Sequence, residues 1–202
     1  MPEKSKMKYI LFELIRHLPY SIFGISLGLI FMGILTFLAI LLRAEDLIPR
    51  ASEELFHVFH PTHILFSAVA TTAMFWKHEK RLIKAILVGF AGSAGICSLS
   101  DIVFPYIGGT LLGAQMRIHI CIIETPGLVL PFAVTGVLAG IVANQSFERT
   151  FEYSHSMHVF LSSMASILYL LSFGIVDWIH LLGQVFVITI AAVMIPCCAS
   201  DI

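Results

Sequence analysis

From Tyr20 to Leu42 the chain runs 23 residues without one charged side chain, and no other feature narrows its possible folds as much. At about 1.5 Å of rise per residue, a helix of that length covers the roughly 30 Å hydrocarbon core of a bilayer. The pattern recurs. Leu55 to Trp76 contains no Asp, Glu, Lys or Arg, and Ala85 to Tyr106 contains a single acid, Asp101. Ile118–Val142, Val159–Val176 and Ile179–Ala199 complete a set of six apolar stretches. Composition agrees: of 202 residues 58% are hydrophobic and 12% charged, with mean hydropathy +0.92. That is more apolar surface than a core of this size can hide, so lipid is the expected solvent. The expected fold class is all-α: a polytopic integral membrane protein of six transmembrane helices. No cleavable signal peptide is expected, because the first apolar run is long enough to span.

Orientation follows from the basic residues that flank the spans. The N-terminal segment, the 77–84 loop and the 144–157 loop carry nine of the twelve Lys and Arg. Arg43, Arg50 and Arg117 lie on the other side, the first two diluted by acidic neighbours. Both termini are therefore expected in the cytoplasm, in a multi-pass cell-membrane protein. A net charge of −1 and the lack of a basic arm exclude nucleic acid as a partner. Four cysteines give no disulfide framework.

One octapeptide pattern occurs twice. His60-Pro-Thr-His63-Ile-Leu-Phe-Ser67 is echoed by His155-Ser-Met-His158-Val-Phe-Leu-Ser162. Ala70-Thr71 and Ala165-Ser166 follow at equal distances, and Cys97…Ser100-Asp101-Ile102 is echoed by Cys197…Ser200-Asp201-Ile202. Gly24 and Gly33 match Gly127 and Gly136. The interval from second histidine to aspartate is 38 residues in one copy and 43 in the other, which requires a short insertion. The expectation is one membrane domain made of two three-helix units, 1–106 (with the basic N-terminal segment) and 107–202. Three spans per unit make the second copy enter from the opposite face, so the repeat is inverted, an arrangement that recurs in transporters.

An ionisable group inside a span costs about 2.5–3.5 kcal/mol on insertion scales, so such groups are functional by default. Imidazole with carboxylate suits divalent transition metals. On the six-span topology, His60, His63 and Asp101, with His119 as fourth ligand and Glu124 and His180 nearby, form an expected outer metal site. His155, His158 and Asp201, with His17, form the expected inner one. Ser67 and Ser162 would line the pathway between them. Glu124 has alternatives in a salt bridge to Arg117 or a helix cap, and Asp177 reads as an N-cap. Single histidines at 17, 57 and 78 read as interfacial residues that keep their polar edge at the headgroups. Cysteines at 97 and 197 read first as small packing residues and second as soft ligands. Gly89, Gly92 and Gly95 read as helix-packing positions that leave room for a homo-oligomeric contact.

A transporter or channel for a divalent transition-metal ion, zinc favoured, uses every repeated polar residue, and transport is preferred to catalysis. An intramembrane metal hydrolase is the runner-up. Hydrolases similar to alkaline ceramidase place one Ser, one Asp and three His around zinc, but here the serine follows the histidines and the pairs are HxxH. Their roles are therefore not carried over. A two-haem electron carrier is a third reading, which HxxH doublets serve poorly.

Overall fold

The computed structural model describes residues 3–142 and 151–198 and is almost wholly helical over them, with no strand among the described residues. Helix α1 (Glu3–Leu41) is followed through a short 3₁₀ turn (Glu45–Leu47) by α2 (Ile48–His78). Next comes α3 (Leu82–Ser98), continued through a π-helical turn at Leu99–Val103 into α4 (Phe104–Leu111). A single helical turn, α5 (Cys121–Glu124), leads into α6 (Pro126–Val142). The last pair are α7 (Phe151–Phe173) and α8 (Leu182–Ala192), the latter ending in a second π-helical segment, Val193–Cys198. By length and composition, Leu14–Leu41 and Leu82–Leu111 can cross a membrane, and Pro126–Val142, Met157–Phe173 and Leu182–Cys197 are shorter apolar helices.

The fourth apolar stretch is not one helix from Ile118. Ile120 is extended (φ −107°, ψ 98°) and Thr125 breaks the helix (φ −130°, ψ 53°). Pro126 is the reason for the second break, since a proline's ring disfavours helical geometry in the residue before it. His119, Cys121 and Glu124 thus lie on an irregular segment ahead of α6. The last stretch likewise starts late: α8 begins at Leu182 with Leu181 as its cap, which leaves Asp177 and His180 in the preceding turn.

Helices α2 and α7, which carry the two HxxH patterns, form the middle of the bundle. α2 packs against α6, α7 and α3, while α7 also packs against α1. Every residue from Leu161 to Leu171 is buried. Close approach of α6 to α2 depends on Gly136 and Gly140, a GxxxG spacing that lets backbones meet. A Cβ at Gly136 would lie 2.5 Å from the Leu65 carbonyl oxygen, and one at Gly140 would lie 2.7 Å from that of Val69. Gly89 meets the Thr72 side chain on α2, whereas Gly95 faces open space.

The α1–α2 connection, residues 112–120 and the α7–α8 turn gather at one end. Arg117 pairs with Glu53 at 3.5 Å and its backbone N–H donates to the Phe173 carbonyl. Trp178 donates to Thr36 Oγ1 at 3.3 Å. Around a buried apolar core, many large apolar side chains are exposed and several polar ones are buried. Phe23, Ile30 and Phe37, seven residues apart on α1, are 70%, 59% and 60% exposed, and Ile83, Leu87, Leu111 and Val142 are exposed as well. His60, His63, Ser100, Asp101, Ser162, Ser163 and Ser166 are buried.

Candidate metal centre

Three residues apart on α2, His60 and His63 project along one face. Both turn Nδ1 to the same oxygen: Asp101 Oδ2 lies 2.8 Å from His60 Nδ1 and 2.7 Å from His63 Nδ1. The π-helical turn holds Asp101 there, and such turns recur at functional sites. Its other oxygen, Oδ1, accepts from Ser100 Oγ at 2.7 Å and from Ser162 Oγ, across the bundle on α7, at 3.1 Å. A carboxylate offers about four lone-pair sites, and here all four are used. Expected from sequence as a metal ligand, Asp101 here has both oxygens engaged by His60, His63, Ser100 and Ser162. A carboxylate can only accept, so both Nδ1 atoms carry protons and Nε2 of His63 points inward.

That Nε2 faces three soft or borderline donors. His158 Nε2 is 3.1 Å away, Cys97 Sγ 3.7 Å and Cys197 Sγ 3.8 Å. The donor atoms of His63, His158 and Cys197 all lie within 4.8 Å of one another, and all three residues are buried. These groups could hold a metal ion. Two nitrogens on a tetrahedral zinc lie about 3.4 Å apart, and a nitrogen and a thiolate sulfur about 3.6 Å apart. The three distances from His63 Nε2 are within a few tenths of an ångström of those values. Ser162 reaches Cys197 Sγ as well, at 3.4 Å.

The expected division into outer and inner sites is not what the geometry shows. His158, assigned to an inner set, meets His63, assigned to the outer set. The cause is the direct packing of α2 on α7, which brings the second histidine of each pattern to one point. Cys97 and Cys197, read as packing residues, stand at the same point. His155's side chain and all of Asp201 lie outside the described residues. Ser67 is buried on α2 one turn beyond His63.

His119 does not join His63. Its Nε2 lies 3.1 Å from Nε2 of His57, nearer the start of α2, and these two nitrogens and Cys121 Sγ fall within 4.8 Å of one another. Glu124 Oε2 takes His119 Nδ1 at 2.8 Å, while its Oε1 accepts the Ile120 N–H at 3.1 Å. Those two contacts, the backbone N–H first, hold the Glu124 carboxyl below its ordinary range. The His119 backbone N–H donates to Tyr169 Oη, which donates in turn to the Arg117 carbonyl, both at 3.1 Å. The His119 ring stacks on Phe173 with centroids 5.0 Å apart. His57, expected as a lone interfacial residue, thus meets His119, and Glu124 pairs with His119 while Arg117 reaches Glu53.

His180 stands apart from both groups. It pairs with Asp177 at 2.7 Å, with both side chains exposed, and Asp177 raises its pKa above the ordinary 6.5. No family model, curated protein or solved structure matches this chain.

Proposed function

We propose that this chain is an integral membrane transporter or channel for a divalent transition-metal ion, zinc or a close neighbour. The ion is bound between α2 and α7 by His63, His158, Cys97 and Cys197. One observation carries this reading: sequence-equivalent residues of the two copies, His63 with His158 and Cys97 with Cys197, converge on one buried point. An inverted repeat whose twofold axis runs between α2 and α7 would produce that convergence, and sites at a repeat interface are where alternating-access proteins bind their cargo. The units are 1–106 and 107–202, the chain crosses the membrane six times, and both termini are cytoplasmic.

The chemistry supports the same reading. Two imidazoles and the Cys197 sulfur within reach of one ion, with the Cys97 sulfur beside His63, match zinc's preference, and thiolate selects against magnesium and calcium. Two neutral imidazoles with two thiolates cancel the charge of a divalent ion, which suits a site walled by apolar helices. Four protein donors leave no open position for an activated water, which favours cargo binding over hydrolysis. Imidazole nitrogens 3.1 Å apart suit a shared small ion and leave no gap for a porphyrin. The large apolar side chains exposed along α1, Phe23 and Phe37 among them, suit lipid as the surrounding solvent.

Zinc uptake into proteoliposomes tests transport. The wild type is expected to carry flux, and His63→Ala and His158→Ala are each expected to abolish it. Undiminished flux in both variants would rule out this route. For topology, Ala51→Cys is expected to label from outside with an impermeant maleimide and Arg81→Cys is not; the reverse pattern would invert the orientation.

A further inference from the structure

We infer that His57, His119 and Cys121 form a second metal site, distinct from the buried centre, that takes a borderline divalent ion such as zinc or cobalt at the end of the bundle where the connections gather. The assignment rests on donor geometry. Nε2 of His57 and Nε2 of His119 are 3.1 Å apart, and Cys121 Sγ completes a set within 4.8 Å. The set joins two elements far apart in sequence, α2 and the irregular segment before α6. His119 is held in place. Glu124 accepts a hydrogen bond from its Nδ1–H, which turns Nε2 towards His57 and Cys121. This carboxylate–histidine arrangement orients metal ligands and raises their basicity. Phe173 flanks the His119 ring, and Tyr169 fixes its backbone N–H.

The two sites differ in the way that successive stations on a route should differ. In the buried centre His63, His158 and Cys197 form the compact set, and Cys97 Sγ, 3.7 Å from His63 Nε2, offers a further sulfur beside it. The second set has three donors, which leaves a tetrahedral position for water or an exchanging ligand, the mark of an open site. His119 and Cys121 are buried, His57 is half-buried, and Glu124 beside them is exposed. His57, His60 and His63 follow at three-residue intervals along α2, so the second site lies about 9 Å along the helix axis from the buried one. Its role as a loading station rests on the transport reading; its existence as a binding site does not.

Cobalt(II) binding by the full-length chain in detergent, followed by equilibrium dialysis and the thiolate-to-cobalt absorption band, tests it. The wild type is expected to hold two ions, and His57→Ala/Cys121→Ser one. His63→Ala/Cys197→Ser is also expected to hold one, now at the second site. Unchanged stoichiometry in His57→Ala/Cys121→Ser overturns the proposal. A single wild-type ion that is lost only with His57 and Cys121 upholds this site and removes the buried centre instead. Should His57→Ala/Cys121→Ser lose both ions by misfolding, Glu124→Gln decides. Altered only at an exposed position, it is expected to weaken the second site about 10–100-fold and spare the buried one; unchanged affinity at both sites overturns the proposal.

Discussion

Asp101 orients His63 without touching the point where His63, His158 and Cys197 meet. Two histidines and two serines donate to its carboxylate, and this fixes which nitrogen of His63 faces His158. Asp101→Asn keeps the shape but replaces one acceptor oxygen by an NH₂ that opposes its former donors. Zinc affinity measured by chelator competition is expected to fall about 10–100-fold, as for other groups that orient a metal ligand. Affinity equal to wild type would show that the histidines hold their tautomers unaided. Far from this centre, the exposed His180–Asp177 pair makes a pH prediction of opposite consequence. Because the folded-state pKa of His180 is raised above 6.5, its small stabilisation is complete below that value and fades as pH rises through the raised one. The NMR titration of His180 is expected to shift down towards the ordinary value in Asp177→Asn; an unchanged midpoint would remove Asp177 as the cause. At this scale the sequence revealed part of the site. Repetition singled out His60, His63, Asp101, His158 and Ser162, which do meet. It gave no hint of His57 or Cys121, which have no repeated counterpart and join only through folding of the segment before α6.

Among the elements, α2 and α7 set the distance between the two copies of the pattern, and α6 locks α2 in place through Gly136 and Gly140. Gly140→Val puts carbon where the Val69 carbonyl and the Ala73 amide stand, 2.7 and 3.2 Å from a bare Cβ. It is expected to cost about 1–3 kcal/mol or more, because two backbones cannot move apart cheaply. Gly33→Ala, where nothing lies within 4 Å, is expected to be neutral or to stabilise by up to about 1 kcal/mol through helix propensity. Thermal unfolding in detergent checks both, and equal midpoints for the two variants would contradict a close α2–α6 contact. The helices themselves were legible, since long uncharged runs leave few alternatives. Their irregularities were not. A π-helical turn inserts a residue and rotates everything beyond it, so the face on which Asp101 and Cys197 emerge cannot be counted off at 3.6 residues per turn. Thr125 before Pro126 was a readable break, and it separates His119 and Cys121 from α6.

For the whole molecule, a buried apolar core coexists with many large apolar side chains on the surface, and a few ionisable groups, His60, His63 and Asp101 among them, are buried against one another. The expectation of two separate groups at opposite faces assumes that the helices carrying the two HxxH patterns stand apart. Because α2 packs directly on α7, His63 and His158 meet at one point instead. The most direct test of that centre is zinc K-edge X-ray absorption on the zinc-loaded His57→Ala/Cys121→Ser variant, in which ligands of the second site are removed. The expected first shell is two sulfurs at about 2.3 Å and two nitrogens at about 2.0–2.1 Å. A shell of nitrogen and oxygen alone, or a folded protein that retains no zinc, would contradict it.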